Sequence, residues 1–163
     1  MQKAPLYRKV NTTAHGVHHR TGGDFSETRH RVSTDTSRLP MSGGTRRGLD
    51  YTPLFRFLLS KVGADWDTVF SEATSRLDRT DPVFWLVALR PEDEHEYVRT
   101  GESSYFSGLR VNAQGKLEVV NSSLGPQSLA PLCACCTHTF NGARFTQKFD
   151  PSKRPAVSAY RVA

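Results

Sequence analysis

The chain has 163 residues, the size of one domain; 37% of them are apolar, and the formal net charge is +6. Its three cysteines fall within four positions, which excludes a disulfide framework, because bridges that close loops join cysteines far apart in the sequence. The longest apolar run has seven residues, whereas a membrane-spanning helix needs about twenty. We therefore expect a cytoplasmic protein in a reducing compartment, without a membrane partner. An organelle-targeting segment is the alternative, since no acidic residue precedes Asp24.

Positive charge is concentrated at the two ends of the chain. Residues 1–50 carry nine Lys/Arg against four Asp/Glu, residues 51–130 carry eight against eleven, and residues 131–163 carry five against one. Basic ends around a mildly acidic middle suit a protein whose ends lie on phosphate groups, although solvated termini have the same composition. We divide the chain into a basic extended arm (1–49), a globular α+β domain (50–149) and a basic C-terminal tail (150–163).

This charge distribution predicts an RNA-binding component of a ribonucleoprotein, such as a ribosome-associated protein. The arm has few apolar positions and no helical or alternating period, so its composition is typical of an extended segment that lies along a partner. The residues expected to contact phosphate are Arg20, Arg29, Arg31, Arg38, Arg46, Arg47, Arg144, Lys148, Lys153 and Arg154. Tyr7, Phe25 and Phe145 lie among them and could stack on bases.

Two amphipathic helices are predicted between Asp50 and Leu77. The first has Asp50 as its cap and Gly63 as its left-handed end, and the second has Asp65 as its cap. The apolar positions of the first recur at helical spacing: Tyr51, Leu54, Phe55, Leu58, Leu59 and Val62. A short connection makes the two helices neighbours, and we expect them to form a helical hairpin.

The second half of the domain is predicted to form an antiparallel sheet of hairpins on which the two helices pack. Its first strand is the apolar run from Val83 to Leu89. A hairpin is expected from Tyr105 to Val120 around the turn 112–115, and another around Asn141-Gly142, a strong hairpin signal. The acidic cluster Glu92–Glu96 is expected to be a solvated turn between them.

Cys133, Cys135, Cys136 and His138 form a cluster of zinc-ligand types within six residues. Thiolate and imidazole are the ligands that zinc prefers, and Cys133-x-x-Cys136 has a spacing that lets one turn present two sulfurs to one ion. Adjacent residues cannot all converge, so the cluster supplies two or three ligands. Histidines of the arm are expected to complete the site, with His18 and His19 as the first candidates and His15 and His30 as further ones. The alternative is that the cysteines are buried as small apolar side chains near Leu132 and Phe140.

No catalytic signature accompanies this cluster, so an enzyme is the less favoured interpretation. A thiol nucleophile activated by His138 would lack a recognisable oxyanion donor or orienting group. The runner-up function is a metal-dependent nuclease with HNH-like chemistry, because His18-His19 and the segment from His138 to Asn141 contain the appropriate residue types. A protein-interaction or regulatory module with an acidic face at Glu92–Glu96 is a further alternative.

Overall fold

The computed structural model describes residues 2–9, 49–100, 103–152 and the backbone of 161–162. Its helices are α1 (Thr52–Ser60) and α2 (Trp66–Ser75), with short 3-10 helices at Asp81–Trp85 and Pro91–Asp93. Its strands are β1 (Arg8–Lys9), β2 (Leu49–Asp50), β3 (Val87–Ala88), β4 (Tyr97–Thr100), β5 (Ser104–Ser107), β6 (Leu109–Val111), β7 (Leu117–Val119), β8 (Thr139–Phe140), β9 (Ala143–Arg144) and β10 (Arg161–Val162). No helix in the described part of the chain is long and apolar enough to cross a membrane.

Helices α1 and α2 form where the sequence predicts them. Asp65 caps α2 and accepts a hydrogen bond from the Thr68 N–H at 3.0 Å, as expected for an N-terminal cap. At α1 the cap is Tyr51 rather than Asp50, although the Asp50 carboxylate accepts the Thr52 N–H at 2.9 Å. Gly63 adopts the predicted positive φ, at 90°. The buried side of α1 comprises Tyr51, Leu54, Phe55 and Leu58.

The first residues of the chain, which were predicted to belong to the extended arm, pack against the globular core. Leu6 is 3% exposed, and its N–H donates to the Arg76 carbonyl at the end of α2. Strand β1 pairs antiparallel with β2, and Arg8 forms an ion pair with Asp50. Residues 10–48, which hold most of the arm, lie outside the described residues and are connected at both ends to this strand pair.

The apolar run from Val83 to Leu89 was predicted to be one strand, and that prediction was wrong: its first three residues are helical, and two others form a short strand. Residues Asp81–Trp85 form a 3-10 helix, and the strand of this region, β3, has two residues. Pro82 has the φ of a first helical turn, and the Val83 N–H donates to the Thr80 carbonyl at 3.1 Å. A run that is apolar on all sides fits either conformation, because it has no period that distinguishes a helix from a strand.

The sheet is not the single antiparallel one that was predicted. Antiparallel β6 and β7 form a hairpin around the turn 112–115 as expected, and β3 adds to β6 in parallel to make three strands. Strand β5, predicted to continue into β6, belongs to a different sheet. That sheet has the order β10-β4-β5-β8-β9 and contains two parallel pairs, β10 with β4 and β5 with β8. The C-terminal segment thus returns to the domain at β10.

One apolar cluster joins the helices to the three-stranded sheet, and a smaller cluster lies under β5 and β8. The larger cluster centres on α1 and includes Trp85, Phe106 and Leu109. The smaller one consists of Tyr105, Leu129 and Phe140, with Leu132 and Phe145 packed against it. Mixed helix and sheet content agrees with the predicted α+β class. The second cluster supports the cysteine segment.

Candidate metal and nucleic-acid site

The three cysteines lie in a loop that leads into β8, with their sulfurs close together. The Cys135 thiol donates to the Cys133 Sγ at 3.2 Å and lies 3.7 Å from the Cys136 Sγ. All three sulfurs fall within 4.8 Å of one another, so they could bind one metal ion. Cys135 is exposed and the other two are half-buried, which argues against the alternative that these cysteines pack as core residues. We call residues 132–136 the cysteine loop.

The imidazole ring of His138 forms hydrogen bonds with the backbone at both ends of the cysteine loop. Its Nε2 accepts a hydrogen bond from the Leu132 N–H at 3.2 Å, so Nδ1 carries the proton and donates to the Cys136 carbonyl at 3.1 Å. These two bonds connect the first and last residues of the loop. Because both ring nitrogens have backbone partners, His138 does not join the three sulfurs in this geometry, and the group that could hold a metal contains the cysteines alone among the described residues.

The packing of the smaller cluster holds the His138 ring in place. His138 is 3% exposed, and its ring centroid lies 5.6 Å from that of Phe145 and 6.4 Å from that of Tyr105. The tertiary fold brings these rings together, because β8 pairs with β5 in parallel and Phe145 follows β9. Strand pairing between distant segments therefore positions the His138 ring against the cysteine loop.

The electrostatics of the cysteine loop favour a thiolate at Cys133 over one at Cys136. A hydrogen bond from the Cys135 thiol lowers the pKa of Cys133. Hydrogen bonds with the Cys133 and Cys135 sulfurs raise the pKa of Cys136 to about 11. Cys133 therefore loses its proton more readily than Cys136, and its negative charge opposes ionisation of Cys136. A metal cation removes that opposition, because it displaces the thiol protons and bonds to the sulfurs directly.

The cysteine loop borders a cleft of about 370 Å³ that also contains residues predicted to bind RNA. Cys133, Cys136 and His138 line it together with Arg144 and Lys148. The segment after β9 that leads to Lys148 is held in place where the Thr146 N–H donates to the Pro126 carbonyl at 3.3 Å and the Gln147 side chain donates to the Gln127 carbonyl. Residues predicted to bind a metal and residues predicted to bind phosphate, which were predicted separately, thus line one cleft.

Most of the other predicted site residues lie outside the described part of the chain. These are His18, His19, Arg20, Arg29, Arg31, Arg38, Arg46, Arg47, Lys153 and Arg154, together with His15, Phe25 and His30. Of the aromatic residues proposed to stack on bases, Tyr7 packs against Tyr51, and Phe145 packs against His138. Phe149, which was not among the residues predicted to stack on bases, is 39% exposed at the cleft. Its position directly after Lys148 could have indicated it.

The side chain of Asn141 in the β8–β9 hairpin, which the sequence offered as a nuclease-type residue, has structural partners. The Asn141 amide bonds to Ser107, accepting from its N–H and donating to its Oγ, both at 2.9 Å. The carboxylates of the acidic cluster also have partners elsewhere in the protein: Asp93 bonds to Arg90, Glu94 bonds to Arg110, and Glu96 accepts a hydrogen bond from Asn121.

No family model matches the chain, and no curated protein or solved structure is significantly similar to it.

Proposed function

We propose that this protein binds RNA through the cleft beside the cysteine loop, as a component of a ribonucleoprotein. The observation that carries the proposal is the presence of Arg144 and Lys148 at one cleft without acidic partners. Five described arginines, Arg8, Arg76, Arg79, Arg90 and Arg110, form ion pairs with carboxylates. Neither Arg144 nor Lys148 does so among the described residues, so their donors are available for phosphate oxygens.

The surroundings of the two cations support a single-stranded or loop region of RNA as the ligand. Phe149 is exposed at the cleft beside Lys148, and base stacking on an exposed aromatic ring contributes about 1–3 kcal/mol per base. Arg144 is exposed on β9, which is the edge strand of its sheet. An extended strand of RNA can therefore reach the cations and the ring together. The basic arm residues would add further phosphate contacts.

Zinc is the proposed ion of the cysteine loop, where it would hold the wall of the RNA cleft. Three thiolates suit zinc, and a loop without regular structure gains its fixed shape from such a bond. RNA binding and metal binding would then occur at one site, because the cysteine loop and the side chains of Arg144 and Lys148 border the same cleft. Loss of the metal is expected to weaken RNA binding because the cysteine loop changes shape, while the rest of the domain stays folded.

Fluorescence anisotropy with a labelled single-stranded RNA tests the proposal. The double variant Arg144→Gln/Lys148→Gln should weaken binding at least about tenfold and reduce the slope of log affinity against log salt by about 1.4, since each phosphate contact contributes about 0.7. The matched control is Arg56→Gln/Lys116→Gln, two exposed cations outside the cleft. Equal affinities for the two double variants would contradict RNA binding at the cleft.

The alternative functions receive less support from the same geometry. For a protein-interaction module, the acidic face would need free carboxylates, yet Asp93 and Glu94 are paired with arginines. For an HNH-like nuclease, the imidazole of His138 and the amide of Asn141 would need to face a substrate, whereas both bond to the protein itself. Metal-dependent cleavage that His138→Gln abolishes would favour the nuclease instead.

A further inference from the structure

The cysteine loop could provide three of the four ligands that a zinc ion takes. Zinc sites with three protein ligands hold water or another exogenous ligand at the fourth position. The group that could hold a metal contains Cys133, Cys135 and Cys136 and no further residue of the described part of the chain. The neighbouring imidazole, His138, has both nitrogens within 3.1–3.2 Å of backbone groups. One coordination position is therefore left without a donor from these residues.

The cleft gives an exogenous ligand access to the metal. Cys133 and Cys136 both border it, and its volume is about 370 Å³. One water molecule occupies about 30 Å³ of liquid, so a ligand of several heavy atoms has room beside the ion. A small polyatomic anion is of that size.

The charge balance of the cleft favours an anion at the open position. Three thiolates around a divalent ion leave one net negative charge, and Arg144 and Lys148 bring two positive charges to the same cleft. Among the described residues, no Asp or Glu borders the cleft. The next carboxylate along the chain, Asp150, accepts hydrogen bonds from the Ser152 N–H and hydroxyl. An incoming anion thus meets a net positive cleft.

We infer that the metal of the cysteine loop keeps its fourth position open to the cleft and binds a phosphate oxygen there, with Arg144 and Lys148 contacting the other oxygens of the same group. Arginine pairs with phosphate through two parallel N–H donors, and lysine acts as a point charge. The inference rests on the proposed function, because RNA is the proposed source of the phosphate. Free inorganic phosphate offers the same chemistry, and the experiment separates the two sources.

Cobalt-substituted full-length protein tests the inference, because the visible absorption of Co²⁺ reports its ligands. Titration with inorganic phosphate, and separately with a short oligoribonucleotide, should shift the ligand-field bands saturably. The ³¹P resonance of the probe should broaden with Co²⁺ protein and remain sharp with Zn²⁺ protein. Arg144→Gln/Lys148→Gln should bind Co²⁺ as wild type does but bind phosphate at least about tenfold more weakly; Arg56→Gln/Lys116→Gln should match wild type in both.

Each outcome separates this inference from the proposed function. A spectrum unchanged by both probes overturns the inference, while RNA binding measured by anisotropy would still stand. A spectrum altered by replacing His15, His18, His19 and His30 together with glutamine also overturns it, because an arm histidine would then be the fourth ligand. A shift with inorganic phosphate but no affinity for RNA supports the phosphate site and refutes the RNA proposal. Failure to load Co²⁺ refutes the metal site itself.

Discussion

Asn141 and Ser107, 34 residues apart, are joined by two hydrogen bonds of 2.9 Å that connect the tip of the β8–β9 hairpin to β5. Asn141 is also the one non-glycine residue with positive φ in the described part of the chain, at 51°. Asparagine suits both roles, because it tolerates the left-handed conformation and carries a donor and an acceptor. The turn that the sequence predicts is thus also a tertiary contact between the β8–β9 hairpin and β5.

Replacing Asn141 should separate these two roles. Asn141→Gly keeps the turn but leaves the N–H of buried Ser107 without its acceptor, at a cost of about 1–3 kcal/mol. Asn141→Ala loses the same bonds and adds about 1–2 kcal/mol of left-handed backbone strain. Urea unfolding should therefore rank stability as wild type, then glycine, then alanine. A glycine variant as stable as wild type would show that the contact to Ser107 contributes nothing.

Replacing His138 should weaken metal binding without removing a ligand. His138→Phe keeps the packing against Tyr105 and Phe145 but loses both bonds that close the cysteine loop. Outer-shell contacts of this kind typically change metal affinity by about 10- to 100-fold. Chelator competition should show that loss for zinc. At saturating Co²⁺, the spectrum should equal that of wild type; a changed spectrum would identify His138 as a direct ligand, as the sequence predicted.

Replacing Leu6 tests whether the first residues of the chain are part of the core. Leu6→Ala removes a side chain that is 3% exposed and should reduce the free energy of unfolding by about 2–5 kcal/mol. Lys9→Ala, an exposed neighbour on β1, is the control and should change it by less than about 0.5 kcal/mol. Similar effects for the two variants would show that residues 2–9 do not contribute to the core. Chemical denaturation followed by tryptophan fluorescence measures both.

Acid should remove a contribution of Asp50 to stability. Burial raises the pKa of this carboxyl, but hydrogen bonds from Thr52 and the nearby Arg8 guanidinium outweigh it, so the pKa lies below the usual 3.8. A carboxyl whose folded pKa is lowered stabilises the fold above its unfolded pKa and loses that effect as the pH falls through the folded pKa. The stability gap between wild type and Asp50→Asn should therefore be full above pH 3.8 and shrink below it. Asp67→Asn, an exposed acid of α2, controls for the loss of one charge. A gap that is constant from pH 6 to about pH 2 would contradict the assignment.

Excising the segment between β1 and β2 should lower RNA affinity while the domain stays folded. Lys9 and Leu49 are paired across the two strands, so a Gly/Ser linker of about four residues can replace residues 12–47. This removes six arginines and should reduce the magnitude of the salt slope for single-stranded RNA by up to about four. The full-length variant with glutamine at those six positions should give the same slope. An unchanged slope in both would exclude the segment from RNA binding.

Local signals predicted local structure well and sheet membership poorly. The cap of α2 at Asp65, the left-handed conformation of Gly63 and the turn at Asn141-Gly142 depend on a few adjacent residues, and the structure confirms all three. The end of α1, which was predicted at Gly63, lies at Ser60. The run from Val83 failed as a strand because uniform burial leaves no period from which to choose a conformation. Strand β5 was attached to the wrong sheet because alternation does not say which partner a strand will have.

In the candidate site, too, some features could be predicted from the sequence and others depended on the tertiary structure. The sequence by itself determined that three thiols and a histidine lie within six residues and that basic side chains follow them, because these are properties of neighbouring positions. Only the tertiary structure decided that the His138 nitrogens are taken by Leu132 and Cys136, and that Arg144 and Lys148 border the cleft of the cysteine loop. Those relations depend on the parallel pairing of β8 with β5 and on the packing of Phe145, which join distant segments. Contacts of that range are set by the burial of the whole chain rather than by the spacing of residues along it.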